Sequence, residues 1–426
     1  MPIPDLPVEV SLLVFKHLGT CRVFREITQM RSVWLELLDV QVSQRKIPIP
    51  GLGGRDLAQL SAQELEMCVA DALQLRKNWT AASPQPIRRQ TFGNGLPGPS
   101  QVVSVQFIPG RGARWLLSLT IATGGSWERT VQCWDTLPEV PFCIARRTLS
   151  GLRGLRVNTD ASHPGVLAVA TSRQGPESRE CNDFTSPQGF FAVQILNDVN
   201  EVLHAFTGSK ILTKFDDQRI RLRTLQNPNV AVELRIVEQQ ECLDSLISDE
   251  YAVIMRVQAL EIYALASLQA PVLEPISTHS FQWRIDSASI AYQPSLNSDI
   301  TQHNLPYVPR PLLVQSFASP IRLFARWDMV LGRYGTALWI DSHTEDYFVD
   351  AHVVEGQRLA GAMLGLTEGN NEEEQIDLRE LAASSHATTV YDLRENDRWI
   401  KIAVDDEEGK IALGMADGDI SLLEYI

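Results

Sequence analysis

The sequence predicts a mainly β protein: a β-propeller of about seven blades, preceded by a small α-helical segment and a linker helix. Three observations carry this expectation. Apolar residues recur at three- and four-residue spacing as far as about residue 79, and from about residue 101 they fall into short strand-like runs. Turn residues such as Gly124-Gly125, Asp216-Asp217, Ser248-Asp249-Glu250, Gly332 and Asp417-Gly418 punctuate those runs, with no amphipathic helix interleaved. The β region spans roughly 325 residues, which at about 40–45 per four-stranded blade gives about seven blades and far more strands than one sandwich uses.

The helical region comes first. Leu6, Val10, Leu13, Val14 and Leu18 share one helix face; Asp5 can cap its start, Pro7 suits its first turn and Gly19 ends it. A second stretch, from about Arg22 to Leu38, places Val23, Ile27, Met30, Trp34, Leu37 and Leu38 on a common face. Two short helices bury little by themselves and need a partner or the next domain. Residues 43–60 are a Pro/Gly-rich connector around Ile47-Pro48-Ile49-Pro50-Gly51. Ser61 and Glu64 then stand at capping-box spacing and open a third helix over about 62–79, and a second linker follows to about residue 100. The expected domains are therefore a shortened helical segment over 1–40, a linker with one helix over 41–100, and the propeller over 101–426.

Within the propeller the clearest units are hairpins. Arg114–Ser118 leads to Thr130–Asp135, Lys210–Thr213 to Arg219–Leu222, Asp249–Val253 to Ala259–Tyr263, and Lys410–Gly414 to Asp419–Leu423. Each is an apolar strand, a polar turn and a second strand ending in an apolar or aromatic residue. Other expected strands include Val102–Phe107, Phe142–Arg146, Val166–Ala170, Phe190–Leu196, Leu312–Phe317 and Thr388–Leu393.

Charge and cysteine usage narrow the function classes. The net charge is −14, and it is uneven: residues 1–90 carry 11 Lys+Arg and 9 Asp+Glu, the remainder 27 and 43. This argues against general nucleic-acid binding, which needs clustered cations to replace phosphate counterions. Six scattered cysteines without a CxxC pair point to a reducing compartment, the cytoplasm and/or nucleus. No run approaches the ~18 apolar residues of a membrane span, and the N-terminus lacks the basic-then-apolar order of a signal peptide.

The chemistry-bearing motifs are weak. Gly93-Asn94-Gly95-Leu96-Pro97-Gly98 spells GxGxxG, but no strand is expected before it and Pro97 and Pro99 block a following helix, so it reads as linker. There is no GxxxxGK[ST], HExxH or GxSxG. His343, Asp346, Asp350 and His352 read as a solvated turn rather than a metal site. The acidic run 368–374 and residues 173–189 read as surface loops. The expectation is a non-enzyme with no catalytic residue, cofactor or metal. A propeller hydrolase would need carboxylates or histidines converging at the central channel.

The N-terminal segment resembles an F-box. Leu6-Pro7-Val8-Glu9-Val10, continuing to Leu18, matches the Leu-Pro, acidic and apolar opening; Cys21-Arg22-Val23-Phe24-Arg25, followed by Ser32-Val33-Trp34, matches the closing helix with its Ser-x-Trp end. With a third helix ending at Asn78-Trp79 and a divergent, WD-repeat-like propeller, the whole chain looks like the F-box proteins of mushroom-type fungi. One departure stands out: the helical stretch that normally lies between the two pieces is missing between Thr20 and Cys21. The resemblance implies a substrate-recruiting subunit of a cullin-based (SCF-type) ubiquitin ligase. Leu6, Pro7, Val10, Phe15 and Leu18 would face a Skp-type adaptor, Phe24 and Trp34 would hold the helices together, and the propeller would take a protein substrate. The alternative is a non-enzymatic propeller scaffold whose degenerate F-box no longer binds the adaptor.

Overall fold

The computed structural model describes residues 29–45, 47–52, 55–81, 84–110, 114–123, 128–171, 179–183, 191–196, 201–215, 219–235, 240–248, 250–265, 270–282, 284–292, 312–317, 325–343, 356–365, 386–395 and 398–426. They form a few N-terminal helices and a mainly β body with a β-propeller-like arrangement. The first expected helix, with Leu6, Pro7, Val10, Phe15 and Leu18, lies outside the described residues, as does Phe24.

Helix α1 (Arg31–Leu38) runs into a π-helical turn, Asp39–Ser43. It begins at Arg31 because Met30 is extended, with φ −76° and ψ 118°. A 3-10 turn, Leu57–Gln59, precedes α2 (Ala62–Trp79), which occupies the expected range. The capping box forms in full: the Ser61 hydroxyl accepts the Glu64 N–H, and the Glu64 carboxylate accepts the Ser61 N–H at 2.9 Å. The connector between α1 and α2 is not a free loop, since Ile47 and Ile49 alternate with prolines and are both buried.

The β body opens with β1 (Arg88–Phe92), inside the stretch expected to be linker. Four-stranded sheets follow in chain order. The first holds β2 (Ser100–Phe107), β3 (Trp115–Ala122), β4 (Arg129–Asp135) and β5 (Phe142–Leu149). The next holds β6 (Leu152–Val157), β7 (Leu167–Thr171), β8 (Arg179–Asp183) and β9 (Phe191–Leu196). Strand β8 falls within 173–189, so that segment is not wholly loop. β10 (Val202–Thr207), β11 (Lys210–Lys214), β12 (Ile220–Thr224) and β13 (Asn227–Leu234) follow. After them come β14 (Cys242–Ile247), β15 (Tyr251–Arg256) and β16 (Ala259–Ala264). The short β17 (Val272–Leu273) adds in parallel to β13, while β18 (Ser277–Ser280) completes the β14–β16 sheet. β19 (Ser287–Tyr292) pairs with β20 (Leu312–Phe317). β21 (Ala325–Leu331), β22 (Thr336–His343), β23 (Gly356–Gly365) and β24 (His386–Glu395) make the next sheet.

The last sheet joins the two ends of the body. Its order is β25 (Trp399–Asp405), β26 (Lys410–Met415), β27 (Ile420–Glu424), then β1. A strand from residue 88 thus pairs antiparallel with one ending at residue 424, Arg88 opposite Glu424. Each hairpin expected from sequence forms, as β3–β4, β11–β12, β15–β16 and β26–β27.

The first strand of each sheet packs beside the first strand of its neighbour: β6 on β10, β10 on β14, β14 on β19, β19 on β21, β21 on β25, and β25 on β2. Side chains of β3–β5 meet those of β6–β7 in one apolar cluster. Middle strands are therefore covered on both faces, as in β15 and β27, where every residue is buried. The first strands differ. β2, β6, β10, β14, β21 and β25 each shift register by one residue, for example between Cys242 and Asp244. Such a bulge bends the strand and resets which side chains point inward.

Candidate functional site

Helix α2 belongs to two cores. Along its first turns Leu65, Val69 and Ala72 face Trp34, Leu38 and Val42, making a small helical core in which Trp34 is 4% exposed. At its end Leu75 and Trp79 enter the core of the closing sheet beside Leu338, Trp399, Ile411 and Tyr425. Arg31, the first residue of α1, ties the connector down: Nε donates to the Leu60 carbonyl at 2.8 Å, and Nη2 to the carbonyls of Leu57 at 2.9 Å and Ala58 at 2.7 Å.

The seat of this helical unit on the β body is polar as well as apolar. The Trp79 indole N–H donates to Thr336 Oγ1 at 2.8 Å in a fully buried bond, and the ring meets Tyr425 edge-on at 4.9 Å. Asn78 Nδ2 donates to the carbonyls of Gln85 and Tyr425, both at 2.9 Å. The Gly51 N–H donates to Glu408 Oε2 at 3.0 Å. Leu75 lies against Gly409, whose φ of 62° and crowded Cβ position both exclude a side chain.

Glu408 and Gly409 end an acidic turn, Asp405-Asp406-Glu407-Glu408, that joins β25 to β26. The Asp406 carboxylate accepts the Tyr334 N–H at 2.8 Å, linking this turn to the one between β21 and β22. Burial pushes Asp406 up to about 7, against backbone hydrogen bonds that pull it down. Burial also pushes Asp405 up to about 6, while its carboxylate accepts the Glu408 N–H at 3.1 Å.

The GxGxxG loop holds a seam between sheets. A strand, β1, does precede it, contrary to expectation, but β2 follows it rather than a helix. Asn94 Nδ2 donates to Ser100 Oγ at 2.6 Å and the Gly418 carbonyl at 3.0 Å, and the Asn94 carbonyl accepts from Gln132 Nε2 at 2.7 Å and Arg146 Nη2 at 3.0 Å. Its polar groups are turned to neighbouring strands rather than to a phosphate. His343 ends β22, whereas Asp346, Asp350, His352 and the acidic run 368–374 lie outside the described residues. Among the described residues no group of three or more His, Cys, Asp or Glu side chains is placed to hold a metal.

One polar cluster escaped the sequence entirely. Arg156 of β6, His204 of β10, and Asp244 and Ser245 of β14 meet on consecutive first strands. Arg156 Nε donates to the His204 carbonyl at 2.7 Å, and His204 Nδ1 lies 2.7 Å from Ser245 Oγ. The Asp244 carboxylate accepts the N–H groups of Ser245 at 2.8 Å and Ile290 at 2.9 Å. Burial, then the cations Arg156, Lys214 and Arg256, hold His204 down at about 3, so the imidazole is neutral. Burial raises Asp244 to about 6. This is not a Ser–His–Asp relay, because Asp244 is bonded to backbone amides and not to the imidazole. Asp328 of β21 repeats the Asp244 device one residue past its own bulge, accepting the Ile402 N–H of the next sheet at 2.9 Å.

No protein-family model matches the chain, and no curated protein matches it. Among the described residues no helix is long and apolar enough to cross a membrane.

Proposed function

We propose that this chain is a non-enzymatic adaptor, the substrate-recruiting F-box subunit of a cullin-based ubiquitin ligase. The N-terminal helices bind a Skp-type adaptor through Leu6, Pro7, Val10, Phe15 and Leu18. A seven-bladed propeller, its fifth blade built on β19–β20, presents the protein substrate. The observation that supports this most directly is the seat of the helical unit. Trp79, Asn78 and Gly51 fasten α1 and α2 to the closing sheet, so a partner that also contacted these two helices would keep a fixed distance and orientation to whatever the propeller holds. A recruiting subunit needs that fixed relation, because transfer within a ligase depends on proximity and orientation.

The missing stretch after Thr20 favours a second reading, a scaffold that has lost the adaptor. Co-purification of the full chain with a Skp-type adaptor separates the two. The ligase reading expects capture by the full chain, lost in Leu6→Asp and Leu18→Asp variants that remain folded. If the full chain fails to capture the adaptor, and restoring a helical stretch after Thr20 also fails, the ligase reading falls and the scaffold reading stands.

A further inference from the structure

The acidic turn between β25 and β26, Asp405-Asp406-Glu407-Glu408, is a joint between the β body and the helical unit. Glu408 accepts the Gly51 N–H of the connector at 3.0 Å, and Leu75 of α2 packs on the next residue, Gly409. Asp405 shapes the turn by accepting the Glu408 N–H at 3.1 Å. Asp406 reaches the other way, into the β21–β22 turn. There it accepts the Tyr334 N–H at 2.8 Å and lies so close to Gly332 that a Cβ on that residue would collide with its carboxyl group. Asp406 is only 5% exposed.

Few charges face these four carboxyl groups. Arg333, on the β21–β22 turn, is exposed and attracts Asp405, Asp406 and Glu407 without forming an ion pair with any of them. Tyr334 beside it keeps its phenol neutral, raised by burial and then by Glu407 and Asp406. On β26, Lys410 pairs with Glu424 of β27 at 3.2 Å. On the helical side, Arg55 donates to the Gly51 carbonyl at 3.2 Å and pairs with Glu64 at 3.2 Å, while α2 contributes the apolar Leu75. Among the described residues none of the four acids has an ion-pair partner.

Desolvated carboxyl groups without paired cations favour their neutral form. Burial accordingly raises all four, Asp405 to about 6 and Asp406 to about 7. A carboxyl raised in this way stabilises the joint in full below its unfolded value, near ~3.9, and ceases to do so as pH rises through its folded value. Above that point successive residues carry like charges. Their repulsion acts on the same turn that seats Gly409 against Leu75 and Glu408 against Gly51.

We propose that this turn is a pH-operated latch on the helical unit: with its carboxyl groups protonated it holds α1 and α2 against the closing sheet, and their ionisation loosens that seat while the sheets stay intact. The latch operates whether or not the N-terminal helices hold an adaptor.

The test follows hydrogen exchange in the full chain, without a partner, from pH 5.5 to 8, each rate being corrected for the intrinsic pH dependence of amide exchange. The α2 amides should exchange through an opening smaller than unfolding, so their protection lies below that of β15, which is buried along its whole length. That protection should fall about 10-fold or more by pH 8, the factor for one carboxyl ionising one pH unit above its folded value. Asp406→Asn and Asp405→Asn are neutral at every pH at the substituted position, and each should flatten the fall. Three results overturn the proposal: α2 protection that does not fall with pH, α2 protection no lower than that of β15 at pH 8, or an undiminished fall in a folded Asp406→Asn or Asp405→Asn variant. The first two are read on the wild-type chain, so the proposal stays testable if neither variant folds.

Discussion

Replacing Trp79 should loosen the helical unit from the β body, and the size of the effect follows from what the side chain touches. The ring is 3% exposed, sits edge-on to Tyr425 and donates to Thr336 Oγ1. Trp79→Ala removes the ring from a packed core, which costs about 3–5 kcal/mol. Trp79→Phe keeps much of the volume but strands the Thr336 hydroxyl, at about 1–3 kcal/mol, and Thr336→Val strands the indole N–H at a similar cost. The double variant Trp79→Phe/Thr336→Val removes both partners, so its loss should fall short of the sum by about 0.5–3 kcal/mol. Urea unfolding measures all four, and limited proteolysis after residue 79 reports whether the helices detach first. Strict additivity in the cycle, or a loss below ~1 kcal/mol for Trp79→Ala, would refute the view that this indole fastens the seat.

Three further outcomes follow. Asp406 is raised to about 7, so its stabilising contribution is complete below the unfolded value near ~3.9 and is lost as pH rises through 7. Asp406→Asn should remove about 1.4 kcal/mol per pH unit of slope across that window, and an unchanged slope in urea melts from pH 4 to 8 would contradict it. Arg256 and Glu261 pair at 2.6 Å with both side chains almost fully buried, and the Tyr263 hydroxyl donates to the same carboxylate at 2.8 Å. Arg256→Met should therefore cost about 3–5 kcal/mol, and Arg256→Met/Glu261→Gln markedly less, by denaturant unfolding. Deleting residues 1–93 removes β1 and bares the edge of β27. The product should associate on size-exclusion chromatography, whereas a monodisperse monomer would show that the edge is protected in some other way.

The strands legible in the sequence and those that were not differ in a physical way. β15, β26 and β27 lie in the middle of their sheets, covered on both faces, so an unbroken apolar run marks them. The first strands β6, β10, β14 and β25 carry a bulge that moves the alternation by one residue. Their buried positions fall at Leu152, Leu155 and Val157, at Leu203 and Phe206, at Cys242, Ser245 and Ile247, and at Trp399, Ile402 and Ala403. A search for strict period-two alternation passes over the opening step of three that all four share, although it is itself a signal. β1 was hidden for another reason: as an edge strand it buries fully only Phe92, and Arg88-Arg89-Gln90-Thr91 resembles linker.

The candidate sites divide along the same line. The seat of α2 was half visible, in the stripe that ends at Trp79, but its partners Thr336 and Tyr425 lie hundreds of residues away. The polar cluster on the first strands was invisible, since Arg156, His204 and Ser245 share no motif and come from three sheets. The sequence alone determined the local matters: the capping box at Ser61 and Glu64, the extent of α2, and the hairpins with their turns, because each depends on neighbours a few residues apart. Only the tertiary structure decided which strand closes the β body and which polar side chains meet, because both depend on contacts between residues such as Arg88 and Glu424 that the chain brings together only when the sheets assemble.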